Sequence, residues 1–93
     1  MTRSVNIVVS GKVQGVWFRA ATQKQAEKLG VTGWVRNLAT GEVEIHAQGT
    51  SSAIEELIHW SHKGSTFAKV KQVQVTELSE TEPFSSFEIK RDQ

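Results

Sequence analysis

Twice along this chain, alternating apolar residues give way to apolar residues at helical spacing, and that double change of period is the tightest constraint on its fold. Val5, Ile7 and Val9 alternate with polar Asn6 and Ser10, which predicts a strand over residues 3–10. Gly11 and Gly15 mark a turn, and from Phe18 to Leu29 the apolar positions 18, 21/22, 26 and 29 follow a helix, with Gly30 placed to cap it. Residues 31–48 predict a β-hairpin: Val31–Leu38 is β-rich, Ala39-Thr40-Gly41 is a short turn, and Val43, Ile45 and Ala47 face one way. Ser52 and Glu55 fit a capping box that opens a second helix carrying Ile54, Leu57, Ile58 and Ser61, and Gly64 ends it. Val70, Val73 and Val75 place a strand in Lys69–Leu78, and the odd step from 70 to 73 marks a bulge or a late start. After Pro83, Phe84–Lys90 is expected to supply a last short strand, with Phe87 and Ile89 inward.

The order β-α-β-β-α-β plus a terminal strand predicts an α+β, ferredoxin-like split βαβ sandwich, with an antiparallel sheet and two helices on one face. Its β-α-β crossovers should be right-handed. Ninety-three residues predict a single domain over 1–93, and 38% hydrophobic with 23% charged residues is a globular composition. No apolar run approaches the ~18 residues of a membrane span, and the start Met-Thr-Arg-Ser-Val has no signal-peptide core. A soluble, cytoplasmic monomer without a membrane partner is expected. The absence of cysteine excludes disulfides, thiolate chemistry and cysteine-ligated metal sites.

Charge is unevenly spread. Residues 1–41 carry six cations and one acid, Glu27, whereas residues 42–93 carry five cations and nine acids. An anionic partner for the N-terminal half would explain this, although a sheet can interleave the halves and dilute the effect. Arg19 is the oddest of these cations. It falls at the start of the first helix, where the dipole disfavours positive charge by ~0.3–1 kcal/mol. A carboxylate one helical turn away could offset that, but positions 15, 16, 22 and 23 are Gly, Val, Thr and Gln.

A strand, a glycine-bearing loop and a helix N-terminus together form a nest of backbone N–H groups suited to an oxyanion. Gly11 and Gly15 allow positive φ, and Arg19 can close the nest with a planar fork of donors for phosphate or carboxylate. The loop is not a Walker A motif, since the Gly-Lys-Ser/Thr ending is missing, nor a dinucleotide fingerprint. An ordinary βα turn with a surface arginine fits the spacing equally well. Asn37 shares parity with Val31, Gly33 and Val35, so its side chain should face the helices near the end of its strand. On the residues alone, a strand-ending Asn that forms an Asx turn into Ala39–Gly41 is the simpler reading.

Two longer patterns contain these residues: Gly11-x-Val13-Gln14-Gly15-Val16-x-Phe18-Arg19, and Gly33-Trp34-Val35-Arg36-Asn37-x-x-x-Gly41-x-Val43-x-x-x-x-x-Gly49. Together they resemble the two signatures of the acylphosphatase family, and the resemblance spans essentially the whole chain in length, element order and both motifs. It implies a hydrolase that cleaves the carboxyl–phosphate bond of acyl phosphates to carboxylate and inorganic phosphate. It further implies a phosphoryl group held by the loop Gly11, Lys12, Val13, Gln14, Gly15, Val16, Trp17 and Phe18 together with Arg19, and an attacking water positioned by Asn37. Trp17 stands at the variable position before Phe18, where many relatives have a smaller residue, and its bulk bears on which acyl groups fit.

The chemistry suits these residue types. The leaving group is a carboxylate whose conjugate acid has a pKa near ~4, so no general acid is needed. Phosphoryl transfer rests on positioning and on neutralising equatorial oxygens, which amides and one guanidinium can supply. No cofactor or metal is expected. His59 and His62 sit three apart on the second helix without a third ligand, and read as a solvated face; His46 reads as surface. Trp34 and Trp60 are expected at the core edges, Trp17 at the site, and Lys12 in solvent. Two other classes compete. An RNA-binding module of the same element order needs aromatic platforms on its first and third strands, which Val5–Val9 and Glu42–Gln48 lack, so no nucleic-acid partner is expected. A catalytically silent anion- or ligand-binding module would keep the loop without turnover.

Overall fold

The computed structural model describes residues 2–79 and 82–92. The elements run β1 (Thr2–Lys12), α1 (Phe18–Leu29), β2 (Thr32–Asn37), β3 (Val43–Thr50), α2 (Ser51–Ser61), β4 (Lys69–Leu78) and β5 (Phe87–Ile89). The sheet order is β4-β1-β3-β2-β5. β1 pairs antiparallel with β3 and β4, and β2 antiparallel with β3. The ferredoxin-like sandwich expected from the sequence is therefore present, with one correction: β5 pairs parallel to β2, so the sheet is mixed. Its approach path accounts for this. The segment before β5 crosses β3, where Gln48 Nε2 donates to the Glu82 carbonyl at 2.7 Å and Gln48 Oε1 accepts from the Phe84 amide at 3.2 Å.

Val5, Ile7 and Val9 of β1, Val35 of β2, and Val43 and Ile45 of β3 are fully buried against Phe18 and Ala26 of α1 and Ile54 and Leu57 of α2. Each Val, Ile, Leu or Phe among them contributes ~1.5–3 kcal/mol of burial, so the alternating strand pattern decides which face receives the helices. Helix α1 ends in a Schellman arrangement at Gly30 (φ 75°), with Val31 N–H donating to the Ala26 carbonyl at 2.8 Å and Gly30 N–H to Glu27 at 3.2 Å. Helix α2 corrects the sequence reading. Its cap is Thr50, whose Oγ1 accepts from the Ala53 amide at 3.1 Å, not Ser52. The chain passes from β3 into α2 without a loop, so the last strand residue caps the helix.

The expected irregularity in β4 is a bulge. Ser10 faces Gln72 and Gly11 faces Val70, leaving Lys71 as the extra residue. Gly11 has φ 119°, and a Cβ there would lie 2.2 Å from the Lys69 carbonyl oxygen, so glycine is needed for this close approach.

Three inward or outward expectations change. Ile89 is 41% exposed rather than inward, while Phe87 is buried. Trp34 lies on the sheet face away from the helices, stacked on His46 at 5.4 Å, with Lys90 Nζ 4.4 Å from its ring centre. His46 is half-buried rather than free surface, because Phe84 meets its ring edge-on at 5.3 Å. Trp60 does sit at the core edge, against Phe18. The sheet also interleaves the charged halves: Arg3 bonds Glu55 and Glu77, and Arg36 bonds Glu44 at 2.8 Å. Among the described residues no helix is long and apolar enough to cross a membrane.

Candidate active site

Residues 13–17 connect β1 to α1 and turn the chain sharply. Gly15 has φ 74°, and Trp17, the residue preceding the helix, is itself left-handed at φ 63°, ψ 21°. No side chain caps α1, and no acid lies in its first turn. The first backbone bond into the helix is Ala21 N–H to the Trp17 carbonyl at 2.9 Å. Among the described residues, the amides of residues 14–20 find no hydrogen-bond acceptor. Unspent donors beside a helix N-terminus favour an anion.

Beside these amides opens a cleft of about 410 Å³ lined by Val13, Gly15, Trp17, Phe18, Arg19, Ala20 and Ile89. Of the loop residues singled out in the sequence, Gly11, Lys12, Gln14 and Val16 do not line it. Gly11 serves the bulge, and Lys12 is an exposed strand end facing Lys69. Val16 is buried, with its carbonyl accepting from Ser65 Oγ at 2.6 Å. Gln14 ties the loop to the hairpin turn, since its Nε2 donates to the carbonyls of Leu38 (2.8 Å) and Glu42 (2.9 Å). That clamp sets the loop against the residue next to Asn37.

Asn37 closes β2 opposite Val43 and is buried, facing the helices as its parity predicts. Among the described residues its Oδ1 is buried without a hydrogen-bond partner. Its Nδ2 lies 3.5 Å from Asp92 Oδ2, and the other oxygen of that carboxylate accepts from Arg19 Nη1 at 2.8 Å. One carboxylate thus reaches both Arg19 and Asn37, and the arginine read as unpaired has an acidic partner. Sequence spacing could not find Asp92, 73 residues from Arg19. Parallel pairing of Val35 with Ile89 carries the following residues toward the end of β2, a register that only the fold reveals.

His59 of α2 and His62, which follows the helix, stay outside this site. Among the described residues no group of three potential metal ligands forms, and a ring nitrogen of His62 contacts the Ile58 carbonyl at 3.0 Å.

The fold is a ferredoxin-like sandwich in which the first βα loop and Arg19 border a cleft at the start of α1. Comparison with known proteins gives the family. The acylphosphatase family model matches residues 5–89. An acylphosphatase of Methylococcus capsulatus is 41% identical over 90 residues, 97% of this chain and 98% of that protein. The structure of an acylphosphatase from Coxiella burnetii superposes with a TM-score of 0.91 at 40% identity, covering 96% of this chain and 93% of the other. The crystal structure of acylphosphatase from Bacillus subtilis superposes with a TM-score of 0.92 at 39% identity, covering 97% and 99%. The chain belongs to the acylphosphatase family.

Proposed function

We propose that the loop amides and Arg19 hold the phosphoryl group of an acyl phosphate while Asn37 orients the water that attacks it. Family membership supplies the reaction class, hydrolysis of an acyl phosphate to carboxylate and inorganic phosphate. The observation that carries the residue assignment is the single carboxylate of Asp92 within reach of both Arg19 and Asn37. An anion lying between them meets a guanidinium on one side and an amide on the other.

In the step, the water oxygen attacks phosphorus in line with the bridging oxygen. The P–O bond to the acyl group breaks, and its electron pair leaves on the carboxylate. One water proton stays on the new P–OH, and the other passes to a phosphoryl oxygen, so no protein base is consumed. Charge on the equatorial oxygens falls on amides that need no rearrangement to receive it, which is where preorganised donors contribute most. Among the described residues the buried Oδ1 of Asn37 lacks a partner, so a hydrogen bond from the bound water would satisfy it and fix the water's lone pair.

Hydrolysis of benzoyl phosphate by wild type and Arg19→Ala tests this reading. Loss of the guanidinium should lower kcat/KM by about 10³-fold or more and weaken competitive inhibition by inorganic phosphate. Unchanged phosphate inhibition in Arg19→Ala would contradict the assignment.

A further inference from the structure

Trp17 carries two unfavourable features. Its backbone is left-handed at φ 63°, a conformation that side chains other than glycine disfavour. Its side chain is 79% exposed, the most exposed of the large hydrophobic residues, and among the described residues its indole stacks on no other ring. The indole instead walls the cleft that also holds Arg19 and Gly15. Ile89 lines the same cleft and is itself 41% exposed although it belongs to a strand.

Resting on the reading that Arg19 and the loop hold phosphorus, we infer that Trp17 and Ile89 form the acyl-group subsite and select acyl phosphates with a flat aromatic acyl group. A phosphoryl group at the loop tethers its acyl carbon two bonds away, so the substituent must run along the walls of this same cleft. Those walls are Trp17, Phe18, Ile89, Val13 and Ala20, with no charged side chain other than Arg19. A planar ring can stack on the indole while an acetyl methyl leaves most of it in water. Trp17 also borders a second cleft with Lys24, Lys28 and Lys63, but that cleft lacks Arg19 and Gly15 and cannot share the tether.

The test compares kcat/KM for benzoyl phosphate and acetyl phosphate in wild type, Trp17→Gly, Trp17→Phe and Ile89→Ala. Glycine suits φ 63°, so the variant should fold. The benzoyl-to-acetyl ratio should fall about three- to tenfold in Trp17→Gly, mainly through KM for benzoyl phosphate, and return most of the way in Trp17→Phe. Ile89→Ala, on a separate element, should lower the same ratio by a smaller factor. Wild-type turnover of both substrates with a ratio unmoved in these variants would overturn the subsite and leave the hydrolase reading intact. A wild type that turned over neither substrate would overturn both.

Discussion

Arg19 Nη1 donates to Asp92 Oδ1 at 2.8 Å, joining the first turn of α1 to the chain's last described residue. Both side chains are partly open to water, at 37% and 54% exposure, so the pair contributes little to stability. Its consequence is for binding. A resident carboxylate occupies one donor of the guanidinium that the proposed site offers to phosphate.

Replacing that carboxylate should therefore favour anions. Asp92→Asn is expected to tighten competitive inhibition by inorganic phosphate by roughly two- to tenfold, the scale of one unit charge a few ångströms away in water. The gain should shrink at high salt, and thermal stability should hardly change. Weaker phosphate binding in this variant would mean instead that Asp92 holds Arg19 in its working orientation.

Gln14 gives a separate prediction. Its two bonds to the Leu38 and Glu42 carbonyls hold the loop against the end of β2. Gln14→Ala should cost about 1–3 kcal/mol of stability, read by denaturant unfolding, through the loss of two hydrogen bonds, since the Leu38 carbonyl keeps the Gly41 N–H and the Glu42 carbonyl keeps the Leu38 N–H. It should also lower kcat more than it weakens phosphate binding, because the loop and Asn37 lose their mutual register. Equal loss in both would place Gln14 in direct contact with the anion.

His46 makes stability depend on pH. Burial between Trp34 and Phe84 lowers its pKa; Glu44 opposes this shift and Lys90 adds to it. The folded state thus takes up its proton at lower pH than the unfolded chain, whose imidazole titrates near ~6.5. The associated stability is fully present above that value and declines as pH falls below it. His46→Phe keeps the ring stack without the titration, so its melting temperature should fall less than that of wild type between about pH 7 and pH 5. Parallel melting curves for the two proteins would contradict this.

Element order was legible because each boundary carries local chemistry. Gly30 takes the left-handed turn that ends α1, and alternation through Val5, Ile7 and Val9 names the buried face. The bulge in β4 was visible as a broken period, whereas the partner that requires it, Gly11, looked like part of an anion loop. The details that escaped are long-range. Gln14 reads as one more loop residue until Leu38 and Glu42 stand beside it, and Trp34 and His46 read as edge and surface until Phe84 and Lys90 cross them. Asp92 belongs to the same class: register between β5 and β2, rather than spacing near Arg19, brings it to the site.

The water-orienting role of Asn37 is the part of the account most open to a direct measurement. Turnover of benzoyl phosphate and inhibition by inorganic phosphate should be measured together for wild type and Asn37→Ala. The account predicts a fall in kcat of about 10²–10³-fold, the usual cost of one preorganised hydrogen-bonding group, with the phosphate inhibition constant held within about threefold. Turnover near the wild-type rate in Asn37→Ala would contradict it.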